Sequence, residues 1–144
     1  MTQQRAEKPA TRNAQPTNSI AELTRLWICR LLVNGRGYRA MDRHLCMMND
    51  DMCGFVGLDP QRAPDDWKYT REHLRRTLQR TEAKVSGWPQ PLGDRLERIG
   101  YHLSLNPVEQ ELLALMAVLT ISEELRDAAQ TTVRASRVDH TGVA

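Results

Sequence analysis

Aromatic residues are scarce in this sequence: Phe, Trp and Tyr together make up 5% of its 144 residues, and there is a single Phe. Sandwich and barrel folds use aromatic and β-branched side chains to fill the pleated faces of their sheets. An all-β fold is therefore not expected. Hydrophobic residues reach 40% and charged residues 26%, which is ordinary globular usage and argues against a wholly disordered chain.

Long apolar runs are also missing. No stretch approaches the roughly 20 apolar residues that cross a bilayer, and the N-terminus lacks the apolar core of a secretory signal. The sequence contains only three cysteines, and this small, odd number argues against a secreted disulfide scaffold. We therefore expect no membrane partner, a cytoplasmic location and free thiols.

Three regions follow from composition and periodicity. Residues 1–17 are polar after Met1 and contain two Pro, so we predict a disordered tail with nothing to bury against the entropy of ordering. Residues 18–134 have helical periodicity and predict one compact all-α bundle of five or six helices. Residues 135–144 have no apolar periodicity and predict an irregular C-terminal segment or linker.

Helix start signals divide the bundle. A polar cap followed by an acid, or a Pro in the first turn, satisfies or removes the amide donors that a helix start leaves unpaired. Asn34 with Gly35, and later Gly54, are typical helix ends. The starts are Ser19 with Glu22, Tyr38 after a glycine turn, Pro64 before two Asp, Leu92 after Pro91, Asn106 with Pro107, and Ser122 before two Glu.

Apolar residues at steps of three and four give each of the first four helices one buried stripe. The stripes are Ile20, Leu23, Trp27 and Leu31; Tyr38, Met41, Leu45, Met48 and Met52; Trp67, Leu74, Leu78 and Val85; and Leu92, Leu96, Ile99 and Leu103. The fifth helix is different, because residues 112–121 (LLALMAVLTI) are apolar nearly all round. Such a pattern predicts a helix buried at the centre of the domain.

Motifs for catalysis or cofactor binding are absent. A Walker loop needs Lys before Ser or Thr, whereas the three lysines precede Pro, Tyr and Val. His44, Cys46 and Cys53 lack paired CxxC or HxxxH spacing, and residues two apart on a helix point in different directions. His73, His102 and His140 are isolated. We expect no metal, no cofactor, no catalytic residue and no enzyme activity.

The charge pattern is more informative than the net charge of +2. Residues 106–127 carry five acids against one Arg, whereas residues 68–84 carry six basic and two acidic side chains. The basic set is our candidate interaction surface. A basic helix can follow phosphates, but these charges are spread around the helix and lack interleaved stacking aromatics, which favours a solvated face. The set is Lys68, Arg71, Arg75, Arg76, Arg80 and Lys84.

Residues 96–126 (LERIGYHLSLNPVEQELLALMAVLTISEELR) combine a short helix, a Leu-Ser-Leu-Asn-Pro turn, an apolar run and a second turn with Leu125-Arg126. This stretch resembles the helical segment that precedes the ATPase module in a group of bacterial AAA+ ATPases. The resemblance implies an N-terminal recognition or assembly domain, with the nucleotide machinery beyond Ala144 in a longer parent chain. It transfers no functional residue.

The function expected from these observations is a non-catalytic protein-interaction or assembly domain, the accessory domain of an AAA+ ATPase. It would bind a protein partner or its own copies. The alternative is a helical nucleic-acid-binding domain that uses the basic helix of residues 68–84.

Overall fold

The computed structural model describes residues 19–41 and 50–141, and in this part of the chain every regular element is a helix. The predicted all-α bundle is confirmed, with six α-helices. The predicted tail of residues 1–17 lies outside the described residues. The elements are α1 Ile20–Val33, a 3-10 turn Gly37–Met41, α2 Asp50–Val56, α3 Trp67–Lys84, α4 Leu92–Leu103, α5 Pro107–Ile121 and α6 Glu123–Thr141.

Local capping explains where three helices begin. The Ser19 hydroxyl accepts a hydrogen bond from the amide of Glu22, whose carboxylate accepts one from the amide of Ser19. Asn106 and Glu109 form the same reciprocal box at α5. Asp66 caps α3 by accepting from the amide of Tyr69 at 2.9 Å. Each box satisfies amides that the first turn of a helix leaves unpaired.

Helix α1 occupies the centre of the bundle. It packs against α2, α3 and α6, and its residues Ile28, Cys29 and Leu32 have no exposed surface. The other helices each add side chains to this core, including the fully buried Met52, Leu74 and Leu125. Three threonines of α3 are buried as well, and the sequence patterning did not identify them: Thr70, Thr77 and Thr81.

The end of α1 lies close to α6, and two glycines make this approach possible. A Cβ on Gly35 would stand 2.5 Å from the Leu31 carbonyl oxygen and 2.8 Å from the Thr132 methyl group. A Cβ on Gly37 would stand 2.6 Å from the Thr132 hydroxyl. Glycine is therefore required here by space, in addition to its role as a helix end.

The prediction that residues 112–121 form a buried central helix is wrong. Of α5, only Ala114 and Val118 are buried, and Leu112 and Met116 are 55% and 59% exposed. The physical reason is that α1 already occupies the centre. Helix α5 packs on the bundle through Ala114 and Val118, with Leu113, Leu115 and Leu119 half-buried against the core, and leaves Leu112 and Met116 at the surface.

Three smaller predictions also need correction. The predicted second helix is a 3-10 turn at Gly37–Met41 and then α2, which continues past Gly54 to Val56; Leu45 and Met48 lie outside the described residues. Trp67 is not part of a buried seam, because it is 59% exposed at the first position of α3. Helix α6 continues to Thr141, so residues 135–141 are helical and not irregular.

Candidate functional site: the apolar surface of α4 and α5

Helix α4 has a well-defined apolar stripe that the bundle covers only in part. At 100° per residue, Leu92, Leu96, Ile99 and Leu103 fall within about 60° of one another around the helix. Leu96 is buried and Leu92 is half-buried, but Ile99 is 42% and Leu103 65% exposed. Half of the stripe therefore faces solvent.

Helix α5 follows α4 after a three-residue connection, Ser104 to Asn106, and the two helices pack as a hairpin. Gly100 permits this contact: a Cβ there would stand 2.8 Å from the Gln110 amide nitrogen. Gln110 in turn donates to the Leu105 carbonyl at 3.0 Å and holds the connection. Leu103 and Ile99 lie about 60° and 100° from Gly100 around α4, and the buried Leu96 lies between them and Gly100.

Helix α5 exposes a second apolar stripe. Val108, Leu112 and Met116 follow one another at intervals of four residues and are 67%, 55% and 59% exposed. Residues spaced by four lie on one side of a helix. Tyr101 and Ile121 are exposed on these helices as well. We call the five exposed side chains of the two stripes the α4–α5 surface: Ile99, Leu103, Val108, Leu112 and Met116.

A groove of about 290 Å³ adjoins this surface, between α5 and the C-terminal half of α1. Val108, Leu112 and Leu115 form its α5 wall, and Trp27 and Leu31 contribute to its α1 wall. Trp27 is held in place by packing against Trp88, with ring centroids 6.1 Å apart. The groove is therefore a preformed apolar depression that is continuous with the α5 stripe through Val108 and Leu112.

One arginine crosses the end of the groove. Arg30 of α1 donates from Nε to Glu82 of α3 at 3.3 Å and from Nη1 to Glu111 of α5 at 3.4 Å. All three side chains are partly exposed, so these ion pairs add little stability. Their effect is local, because the two charged residues that line the groove, Arg30 and Glu111, are paired with each other. A molecule bound in the groove would therefore be held mainly by apolar contacts.

The exposed charges next to the two stripes have opposite signs. Arg95 and Arg98 are exposed on α4, about 40° and 100° from Ile99, whereas Asp94 and Glu97 lie more than about 130° from Ile99 around the helix. Helix α5 contains no basic residue, and the exposed Glu109 lies beside Leu112 and Met116. The α4 stripe thus has a basic border and the α5 stripe an acidic one.

The predicted basic surface does not form a single patch. Lys68, Arg71 and Arg75 lie on one side of the buried face of α3, and Arg80 and Lys84 lie on the other, with Arg76 between the two groups.

Contacts within the chain occupy part of this basic set. Arg76 forms an ion pair with Glu72, and the Arg71 guanidinium lies 5.8 Å from the Tyr38 ring centroid. Lys68, Arg75, Arg80 and Lys84 are exposed.

Arg80 and Lys84 contribute to a second cavity, about 360 Å³ in volume, between α1, α2 and α3. Arg25 also lines it, and its Nε donates to the Phe55 carbonyl at 3.0 Å. His73 approaches the Val56 carbonyl at 3.1 Å from the same cavity. The cavity has a mixed polar and apolar lining and is open to solvent, and its basic side chains come from two separate helices.

The cysteines that the structure describes are not arranged for chemistry. Cys29 and Cys53 are free and buried, and burial raises the pKa of each thiol to about 11. Raised thiol pKa values suppress the reactive thiolate. Cys46 and His44 lie outside the described residues. Within residues 19–41 and 50–141, no group of three His, Cys, Asp or Glu side chains is placed to hold a metal ion.

Among the described helices, none is both long enough and apolar enough to cross a membrane. The chain matches no protein-family model, no curated protein and no solved structure.

Proposed function

We propose that this chain is a protein-interaction or assembly domain that binds through the α4–α5 surface. The single observation that carries the proposal is the exposure of five large apolar side chains on one helical hairpin. The largest exposed apolar patch of a folded domain is often its site of interaction.

The rest of the site supports protein as the partner. The groove offers an apolar depression beside a ridge of Leu112 and Met116, a shape that accepts the apolar side chains of a partner helix. Methionine adapts its shape to the surface that it contacts. The bordering Arg30 pairs with Glu82 and Glu111, so no unpaired charge of the groove must be desolvated when a partner covers it.

The proposed surface differs from the basic set that the sequence suggested. Nucleic-acid binding needs a continuous track of cations, whereas the six basic side chains of α3 are spread over more than half of its circumference. The basic helix therefore serves as the matched control surface in the test below.

A wider assignment, to an accessory domain of an AAA+ ATPase, rests on the resemblance of residues 96–126. That segment contains the whole of α5 and most of α4, so the resembling residues and the α4–α5 surface coincide. A reading frame that continues past Ala144 into a GxxxxGK[ST] loop would support this assignment, and a stop codon there would contradict it.

Comparative affinity purification from the native host tests the proposed function. The parent chain, the double variant Leu112→Glu/Met116→Glu and the control Arg75→Glu/Arg76→Glu are used as tagged baits, with quantitative mass spectrometry. Because all four residues are exposed, each variant should retain the helical circular dichroism of the parent.

We expect proteins, which include untagged copies of this chain, to be recovered with the parent and with the α3 control. The same proteins should be depleted at least tenfold with the α5 variant. If every protein recovered with the parent is recovered equally with the α5 variant, the proposed function is wrong. If the α3 control alone loses its partners, the basic helix is the binding surface.

A further inference from the structure

We infer that the cavity between α1, α2 and α3 binds a small organic phosphate, a phosphate monoester that carries one compact apolar group. The residues that line it come from these three helices and from the positions that directly follow α2 and α3, so the site is separate from the α4–α5 surface. The inference therefore goes beyond the proposed function and does not depend on it. It rests on the cations of the cavity, the position of Arg25, the neighbouring donors and the apolar part of the lining.

Three cations from two helices meet at this cavity. Arg80 and Lys84 lie four residues apart on α3, and therefore on one side of that helix, while Arg25 comes from α1. Among the described residues, Glu22 is the one acid in the lining, and its carboxylate takes part in the cap of α1. Three cations against one carboxylate give the lining a net charge of +2. A phosphate monoester carries a charge of about −1.5 to −2 and balances it.

Arg25 is a half-buried cation that lacks a counter-ion. Its Nε donates to the Phe55 carbonyl at 3.0 Å, and its guanidinium carbon lies 5.3 Å from the centroid of the Phe55 ring. These contacts hold the side chain, but within residues 19–41 and 50–141 no carboxylate forms an ion pair with it. A cation that is partly removed from water is stabilised by a nearby anion. The two terminal nitrogens of Arg25 suit the paired oxygens of a phosphate.

Further donors accompany the cations. Four polar side chains of α3 line the cavity from one side of the helix, within about 60° of one another: His73, Thr77, Arg80 and Lys84. The Nε2 of His73 donates to the Val56 carbonyl at 3.1 Å, which holds the ring at the cavity wall. A phosphate monoester presents three acceptor oxygens in different directions, whereas a carboxylate presents two in one plane. Donors that approach from two helices therefore favour phosphate.

The apolar part of the lining selects a phosphate that carries a carbon group. Phe55, Val56 and Val85 line the same cavity as the cations. Small-molecule sites combine apolar walls with a few polar groups and have volumes of roughly 300–1,000 Å³. This cavity, at about 360 Å³, is at the lower end of that range. Its ligand is therefore a phosphate with a single ring or a short chain, rather than a strand of nucleic acid.

Isothermal titration calorimetry of the full 144-residue chain with phenyl phosphate tests the site. We expect a dissociation constant of about 1 mM or lower. Inorganic phosphate, which lacks the ring, and phenol, which lacks the phosphate, should each bind at least about tenfold more weakly. The variant Arg80→Gln/Lys84→Gln should also weaken the binding of phenyl phosphate at least about tenfold, because it removes two charge-assisted hydrogen bonds.

Lys68→Gln/Arg75→Gln is the matched control. It removes two cations from the same helix, outside the cavity, and should leave the dissociation constant within about twofold. All four substituted residues are exposed, so both variants should retain the helical circular dichroism of the parent. A difference between them therefore reports the cavity, and neither the fold nor the total charge of α3.

Four results would overturn the inference. Phenyl phosphate might show no binding at about 10 mM, the two variants could weaken it equally, or inorganic phosphate could bind as tightly as phenyl phosphate. The fourth is a single-stranded oligonucleotide that needs Arg80 and Lys84 for binding and that excess phenyl phosphate does not displace, which would assign these cations to nucleic acid. None of these results concerns the proposed function, and Leu112→Glu/Met116→Glu should bind phenyl phosphate as the parent does.

Discussion

The most discriminating test of the fold compares two neighbouring substitutions in α5, Val118→Glu and Met116→Glu. The two positions are two residues apart in the apolar run that sequence patterning places at the centre of the domain. In the structure Val118 is 1% exposed and packs in the core, whereas Met116 is 59% exposed. The same new side chain therefore enters two opposite environments on one helix.

The expected free-energy changes differ severalfold. A carboxylate without a partner in the core costs about 3–5 kcal/mol, a large part of the 5–15 kcal/mol that holds a typical domain together. At Met116 the new carboxylate stays in water, and Met and Glu have nearly equal helix propensities, so the change should be within about 0.5 kcal/mol. For a chain of this length, about 1 kcal/mol corresponds to roughly 2–4 °C in Tm.

Urea unfolding followed by circular dichroism at 222 nm measures both changes. We expect Met116→Glu to keep the midpoint and slope of the parent curve, and Val118→Glu to move the midpoint sharply down or to abolish the folded baseline. The slope reports the surface exposed on unfolding, so an unchanged slope ties the shift to stability. Equal destabilisation by the two substitutions would refute the placement of α5 at the surface.

Three further predictions concern the described contacts. Gly35→Ala should destabilise the chain by more than about 1 kcal/mol, because its Cβ would stand 2.5 Å from the Leu31 carbonyl oxygen; thermal unfolding measures this, and a Tm at or above that of the parent would contradict it. Asn106→Ala should lower the free energy of unfolding by about 1 kcal/mol through loss of the capping box of α5, which urea unfolding measures. An unchanged free energy of unfolding would show that the box does not stabilise the fold. Burial raises the pKa of the Cys29 and Cys53 thiols from 9.0 to about 11, so their contribution to the free energy of unfolding is complete below pH 9 and is lost as the pH rises toward 11. Replacing both with Ala should reduce the fall in the free energy of unfolding between pH 9 and pH 11. An unchanged fall over that range would contradict the raised pKa values.

The sequence predicted most helix boundaries because they depend on local chemistry. Ser19 with Glu22 and Asn106 with Glu109 each satisfy amides within the first turn, whatever the rest of the chain does. The predicted start of the third helix at Pro64 is wrong, because Asp66 is the cap and α3 begins at Trp67. The α6 extension to Thr141 was missed because residues 135–141 have little apolar periodicity. A polar continuation of a helix that is already anchored needs no apolar stripe.

Burial was less predictable because it depends on competition between helices. Residues 112–121 are the most apolar run in the chain, yet α1 takes the centre with Ile28, Cys29 and Leu32. The periodicity of each helix can be read from a single sequence, but the sequence does not show which helix faces are buried by neighbouring helices. The same limit explains why the exposed half of the α4 stripe, Ile99 and Leu103, was assigned to the core.

Sequence patterning did not identify the exposed apolar surface of α4 and α5 for a related reason. Patterning on charge identified the basic side chains of α3, whereas the surface with the most exposed apolar area is on α4 and α5. One signal was available: an all-round apolar α5 follows an amphipathic α4 after a short turn, and two such helices have more apolar surface than their contacts with the bundle bury.

Site-specific photo-crosslinking in the native host tests the central claim, that the α4–α5 surface contacts protein in the cell. A photoreactive benzophenone amino acid is placed at Met116 in one variant and at Val133 in another, since both positions are exposed helical apolar residues. We expect a discrete adduct of higher mass on irradiation of the Met116 variant and none from the Val133 variant. No adduct at Met116, or the same adducts at both positions, would contradict it.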